Sequence, residues 1–406
     1  MSKFAHMGDC HLGSWRQPEL QELNFLSFEK AIDRCILERV EFILMAGDLF
    51  DSAYPPIEIL KRVFGEFRKI KEAGIKVFMI AGSHDFSVSG KTFLDVLEKG
   101  GFCEICKYRE NEIIGGTQSE AIYLEPLKYK NFEIFGYPGK KSGMEVEDIK
   151  KIILPKESNN YRILMLHTSI TEAVGNLPIE SVGLNRLPKA DYYAFAHLHI
   201  NFEEKIGEKG KEKPAIYSGP IFPNSFQELE DLCYGRFYIV QVEGFVEYKK
   251  IMLPIKEVLC FNLEIENALT ATQQIVSEFD KHELRDKIIL LRLSGTMKQG
   301  TNADIDYKRI TDYLGQKGAY SFLKNTNKLQ SEGEKIADLK ITSSDMNKVE
   351  EAIIKQYEKE NPDKFNELVI PLMHSLDLCK QEDEKTVIFE TRLFADLNKI
   401  LGLEIK

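Results

Sequence analysis

The feature that most constrains this chain is a strand–helix alternation near its start, in which each strand runs into Gly, Asp or His. Lys3–Gly8 predicts a strand, and Glu22–Arg39 predicts a helix with Phe25, Phe28, Ile32 and Ile36 at helical spacing. Glu41–Ala46 predicts a second strand and Lys76–Ala81 a third. Between them Pro56–Ala73 predicts a helix, its proline in the first turn, where a missing N–H costs nothing. A βαβαβ series of this kind requires a parallel sheet. Beyond about residue 110 the segments shorten and turn residues separate them: Asn131–Gly136, Tyr161–Leu166, Ala190–Ala196, Ala215–Ser218 and Phe237–Val242. These imply a second sheet packed on the first, so the expected class is α/β, two sheets flanked by helices.

The pattern resets after Leu253-Pro254. Val258–Glu264, a helix over Leu269–Phe279, Lys287–Leu293, a helix over Asp306–Gly315 and Ala319–Leu323 form a further small α/β unit. From about Ser343 the chain is charged and helical, with Val349, Ile353 and Tyr357 on one stripe. Phe365, Leu368, Leu372 and Leu376 follow beyond Pro362, and Thr386–Leu401 makes a third helix. The expected domains are therefore 1–253, 254–340 and 341–406. There is no internal repeat and no low-complexity tract.

Composition narrows the function. With 43% hydrophobic and 10% aromatic residues the 406-residue chain can bury a large core, which excludes disorder as its main state. Its 64 acidic against 54 basic residues, a formal charge of −10, argue against coating nucleic acid through a basic surface alone. A nuclease stays possible, because bound divalent ions supply positive charge that a residue count misses. No apolar run approaches the roughly 18 residues of a spanning helix, and MSKFAHMGDCHLG lacks the apolar core of a signal peptide. Seven cysteines, an odd number mostly in apolar contexts, point to a reducing, cytoplasmic setting. Cys103 and Cys106 form a CxxC, but no second pair or flanking His completes a zinc site, so they read as inert thiols.

Chemistry enters with the histidines. Of eight, His11, His84, His167, His197 and His199 follow predicted strands, in the strings GDCHLG, GSHDF, LMLHTS and AFAHLH, and Asp48 follows another in GDLFD. All could converge at the carboxyl edges of a sheet, where open α/β folds bind ligands. Asp and His are favoured ligands of first-row divalent metals. Asp9-x-His11 can meet one ion from a strand-to-loop turn. His197-x-His199 places two rings on one side of an extended segment and can serve two adjacent ions, with Asp48 bridging. Two metals together stabilise the attacking and leaving oxygens of an in-line phosphoryl displacement. His6, His282 and His374 lack such contexts and read as ordinary histidines.

The order of these motifs resembles the calcineurin-like metallophosphoesterase series of Asp-x-His, Gly-Asp, Gly-Asn-His-Asp, His and Gly-x-His. Within that superfamily HMGDCHLG, LMAGDLFD, IAGSHDF, LMLHTSI, DYYAFAHLHI and the later YSGP are similar to the SbcD-like nuclease subunits of double-strand-break repair complexes. The motifs cover residues 1 to about 225. The resemblance implies a first metal held by Asp9, His11, Asp48 and His199, and a second held by Asp48, His167 and His197. His84 would stand beside the scissile phosphate as general acid or positive partner, and Asp85 would orient it. It further implies manganese as the metal, DNA ends (double- and single-stranded) as substrate, and 3′-to-5′ exonuclease and single-strand endonuclease activities. The partner would be an SMC-like coiled-coil ABC ATPase, docked by the helical tail. A homodimer would form through the Pro56–Ala73 and Thr92–Gly100 helices, and the small α/β unit would cap the cleft and guide DNA.

Two positions depart from the family pattern. Ser83 stands where Asn is usual, a shorter and weaker oxygen ligand for the second metal, and Ala196 stands where Gly is common. Around the motifs, Phe50, Tyr54 and Phe86 suit either base stacking or core packing, and Trp15 suits either the cleft or the core. Lys140-Lys141 and Lys150-Lys151 suit DNA backbone or plain solvation, and Lys205–Lys213 reads as a solvated hairpin tip. Two rival functions remain open on the sequence: a phosphatase for small esters, and a DNA-end scaffold whose catalysis Ser83 has weakened.

Overall fold

The computed structural model describes residues 2–332 apart from 88–89, 111–112, 115–116, 119, 142, 157, 176 and 208–211, together with 354, 365–376 and 386–401. Its contacts divide into one unit of 1–295 with 300–329 and another of 296–299 with 330–406.

The larger unit is built on two six-stranded sheets. In the first, Ser2–Met7, Phe42–Ala46, Lys76–Ile80 and Glu104–Ile105 run parallel, and Gly235–Glu243 and Phe245–Leu253 extend the Ser2–Met7 edge antiparallel. In the second, Lys213–Tyr217, Tyr192–Ala196, Tyr161–His167 and Phe132–Tyr137 are parallel, with antiparallel edges Phe202–Ile206 and Leu127–Tyr129. Alternation along each strand sorts side chains between layers. Phe4, Phe42, Leu44, Phe78 and Ile80 face Phe132, Ile134, Ile163, Met165 and Tyr192 in the inter-sheet core. Ala5, Met7, Ile43 and Met45 point the other way, onto the helices Pro18–Leu37 and Ile57–Glu72. The second of these helices buries Ile59, Val63, Phe67 and Ile70, a stripe at helical spacing.

The strands and helices expected before residue 330 are present, with shifted ends. Proline at the first helical position starts the long helix at Pro18 rather than Glu22. Among the described residues, the four edge strands of the two sheets, Glu104–Ile105, Leu127–Tyr129, Phe202–Ile206 and Phe245–Leu253, went unforeseen. Phe202–Ile206 (FEEKI) and Phe245–Leu253 expose many of their side chains, so they carry little of the apolar signal that marks an interior strand.

A three-stranded sheet of Val258–Glu264, Ile288–Met297 and Ser321–Ser331 carries the helices Ala268–Phe279 and Tyr307–Gln316. It packs on the two-sheet part through a shared cluster in which Leu20, Leu23, Phe222 and Leu229 meet Ile288, Leu290 and Leu323, with Trp15 against them. Trp15 also donates from Nε1 to Pro223 O at 2.9 Å, so it belongs to this junction. In the second unit Asn366–Leu376 and Thr386–Leu401 are helices lying against each other. The helix expected around Val349, Ile353 and Tyr357 lies outside the described residues. Among the described residues no helix is long and apolar enough to cross a membrane.

Phe42 is fully buried between the sheets and stacks on Phe4 at 4.9 Å. Phe42→Ala is expected to cost about 3–5 kcal/mol of stability in urea unfolding followed by circular dichroism.

Candidate metal centre

Five parallel strands end at one place. Ser2–Met7 leads to Asp9 and His11, Phe42–Ala46 to Asp48, Lys76–Ile80 to Ser83 and His84, Tyr161–His167 ends on His167, and Tyr192–Ala196 leads to His197 and His199. The chain turns sharply at these exits, and Asp9, His11, Asp48 and His197 all take positive φ, at 49, 43, 50 and 103°. Such backbone costs free energy and persists where its surroundings hold it. Gly47 and Gly82 permit the approach. A Cβ on Gly47, itself at φ 103°, would lie 2.4 Å from His167 Nδ1, and one on Gly82 would lie 2.1 Å from Asp48 Oδ1.

Three sets of donor atoms come within 4.8 Å of one another: Asp9, His11 and His199; His11, Asp48 and His84; and Asp9, Asp48 and His167. His197 belongs to none of these three. Its amide donates to both oxygens of Asp9 at 3.0 and 3.1 Å, and its ring stands edge-on to His167 at 5.0 Å. Ser83 Oγ donates to Asp48 Oδ2 at 3.4 Å, and the His84 amide donates to Asp48 Oδ1 at 2.8 Å.

The hydrogen bonds fix where lone pairs point. His167 Nδ1 lies 3.0 Å from Ala46 O, and because a carbonyl only accepts, Nδ1 carries the proton. The buried Nε2 makes no hydrogen bond, although Asp48 Oδ2 stands 3.2 Å away. A bare imidazole nitrogen facing a carboxylate oxygen needs a cation between or beside them, a proton or a metal. His199 is arranged likewise. Nδ1 meets Glu228 Oε2 at 3.1 Å, leaving Nε2 to face His11 Nε2 at 3.1 Å, while His11 Nδ1 faces Asp51 Oδ1 at 3.3 Å. Oxygen and imidazole donors converging in this way fit a pair of divalent ions.

Electrostatics agree with that fit. Burial disfavours the Asp48 carboxylate, yet the charges of His167 and His11 and the His84 amide hold it far below the usual range. Burial pulls His167 down, but the negative charge of Asp48, with Asp9, lifts it to about 9. Burial and the neighbouring His167 charge push His197 down to about 4. Burial and the Asp48 charge push Asp85 up to about 6, against amide donation from Gly82 and Phe50.

Asp85 corrects an expectation. It does not orient His84; its carboxylate accepts from the amides of Gly82 at 2.9 Å, Phe50 at 3.0 Å and Leu49 at 3.3 Å, lacing two of the strand exits together. The His84 ring is held by Nδ1 donating to Asp51 O at 2.9 Å. Asp51 and Glu228 are the residues that sequence reasoning missed. Phe50 is core, Phe86 packs at its margin, and Tyr54 is 71% exposed beside His84, in a recess shared with Lys141. Lys140 pairs with Asp148 at 2.5 Å and Lys150 with Glu147 at 2.5 Å. The Ala196 methyl fits because Gly8 opposite it has no side chain. Burial pushes the Cys103 thiol up to about 12 and raises Cys106 as well, as inert thiols require.

A sandwich with an Asp/His cluster at its parallel strand ends is the architecture of a metal-dependent phosphoesterase. Residues 2–201, the part of the chain that bears the cluster, match the family described as calcineurin-like phosphoesterase. The chain is similar to the DNA double-strand break repair protein Mre11 of Archaeoglobus fulgidus, 26% identical over 251 residues, or 60% of this chain and 55% of that protein. It is similar to the protein of the same name from Sulfolobus acidocaldarius, 24% identical over 400 residues, or 95% and 96%. It also resembles the uncharacterized metallophosphoesterase YhaO of Bacillus subtilis, 25% identical over 323 residues, or 73% and 72%. The chain spans only about half the length of the A. fulgidus relative and of others from Methanosarcina, at 55%, 53% and 48%.

Two outcomes are expected. The His167 proton competes with metal below about pH 9, so apparent metal affinity should rise with pH up to that point, and binding at pH 7 should release protons. Calorimetric titration in two buffers of different ionisation enthalpy measures that release; heats that match in both would contradict it. Gly82→Ala should abolish metal uptake, because its methyl takes the place of the Asp48 carboxylate; elemental analysis of the dialysed, folded variant checks this.

Proposed function

We propose that the chain is a two-metal phosphodiesterase acting on DNA ends, with 3′-to-5′ exonuclease and single-strand endonuclease activities. The observation that carries the reading is the set of Asp9, His11, Asp48, His167 and His199 donor atoms, which fall into overlapping groups of three lying within 4.8 Å of one another. Asp9, His11, Asp48 and His199 would hold one ion; Asp48, His167 and His197, with weak help from Ser83, would hold the other. Manganese is the proposed metal. When bound, the ions supply Lewis-acid stabilisation to the oxygens of the phosphodiester.

The protein's own residues do the rest. Asp51 O holds His84 Nδ1–H, so that as the imidazolium the ring would give its Nε2 proton to the departing ribose oxygen and be left neutral. Asp85 keeps the two loops that carry Asp48 and His84 in register through the amides it binds. Tyr54 offers an exposed aromatic face next to His84, suited to stacking on a base.

In this reading residues 254–340 cap the cleft and guide DNA into it, and the tail from 341 docks on the coiled coil of an SMC-like ATPase. Exposed Phe365, Leu376 and Phe394 on the tail suit such a contact. A homodimer through the 57–72 and 94–99 helices completes the assembly. The resemblance to Mre11 proteins supports these assignments. The test is hydrolysis of end-labelled duplex and hairpin DNA with manganese, beside a chromogenic phosphodiester. His84→Ala should lower DNA cleavage by about 10²- to 10⁴-fold while metal still binds, and Ser83→Asn should raise activity at limiting metal. Turnover of the small ester with intact DNA would contradict the DNA assignment.

A further inference from the structure

Glu228 lies outside the motifs that make up the cluster, on the short helix Phe226–Leu232 that follows the second sheet. Its Oε2 stands 3.1 Å from His199 Nδ1 and accepts the Asn224 amide at 2.9 Å, while Oε1 accepts Ser225 Oγ at 3.3 Å. In an ordinary capping box the glutamate three residues into the helix returns to the amide of the capping residue. Here Ser225 does cap the helix, its Oγ accepting the Glu228 amide at 3.1 Å, but the carboxylate reaches past the cap to an imidazole. A histidine that binds metal through Nε2 needs its proton kept on Nδ1 and its ring plane fixed, and a carboxylate partner does both.

The same helix is gripped from the other side. Arg292, on the Ile288–Met297 strand of the small sheet, binds Glu230 through Nε at 3.0 and 3.2 Å and through Nη2, and binds Gln227 Oε1 at 2.8 Å. Its guanidinium also lies over the Phe226 ring, 5.1 Å from the centroid. The loop before the helix is tied to the first motif, with Ser14 Oγ donating to Asn224 Oδ1 at 2.9 Å. One short helix is therefore held on one side by the small sheet and on another, through Glu228, holds the ring that faces His11.

We propose that Glu228 is a positioning residue for the His11–His199 metal site, and that the Arg292 fork holds it in place, so that a residue of the small sheet sets metal affinity in the catalytic domain. The inference rests on the two-metal reading above and goes beyond it. The helix orients a ligand as well as joining two packed parts.

The test titrates manganese into the metal-free full chain, followed by calorimetry and by the paramagnetic resonance of the free ion. Wild type should bind in two classes. Glu228→Ala should weaken one class by about 10- to 100-fold and leave the other unchanged, and Glu228→Gln, which can still accept from Nδ1, should restore much of the loss. Ser225→Ala, which removes the cap and one bond to Oε1 but keeps the Glu228–His199 contact, should lower the melting temperature and weaken that class far less than Glu228→Ala. Arg292→Met, which keeps Glu228 and its cap, should weaken the same class by a smaller factor, and reads the inference even if Glu228→Ala fails to fold. Unchanged binding in Glu228→Ala or in Arg292→Met, or equal weakening in Ser225→Ala and Glu228→Ala, would overturn the inference while leaving the proposed function standing. A wild type that takes up no manganese would overturn both.

Discussion

Asp9, Asp48 and Asp85 place three carboxylates in one pocket with almost no contact with solvent, and the surrounding structure answers to that charge. An unpaired carboxylate in such a place costs on the order of several kcal/mol even after relaxation. Asp85 is answered by three backbone amides and by a raised pKa. Asp9 takes the His197 amide, and Asp48 takes the His84 amide and the Ser83 hydroxyl. What remains is borne by imidazoles whose lone pairs already face one another or a carboxylate oxygen. A protein built only for stability would have no reason to gather these groups. A pair of bound cations removes the repulsion and accounts for the direction of each ring.

The fold supplies the cluster because two separate sheets present parallel strand ends to the same spot. The first sheet brings Asp9, His11, Asp48 and His84; the second brings His167, His197 and His199. The glycines before Asp48 and before Ser83 let the two edges close to within a hydrogen bond. The inter-sheet aromatic core of Phe4, Phe42, Phe132 and Tyr192 sets the registry between them. Positive φ at four of the donor residues marks the backbone cost of aiming side chains inward from such tight exits.

Much of this was legible in the residues themselves. Histidines at strand ends can be read because strand period and turn residues are local signals, and the two-sheet class followed from them. Glu228 and Asp51 were not legible as partners of His199 and His11, since those contacts join segments far apart in sequence. Ser225 and Glu228 do form the Ser-x-x-Glu signature of a helix start, which gives the helix but not the ring its glutamate touches. Asp85 misled for the opposite reason. Its place next to His84 suggested a partner, but its side chain turns inward to amides that no spacing rule identifies. Strands such as Phe202–Ile206 escaped because an edge with a solvated face carries few apolar residues.

Occupation of this cluster by two cations is tested most directly by anomalous diffraction at the manganese edge from crystals grown with the metal. The account predicts two peaks roughly 3.5–4 Å apart, one between His11 and His199 and the other beside Asp48 and His167. An empty cluster, or a single peak away from Asp48, would contradict it.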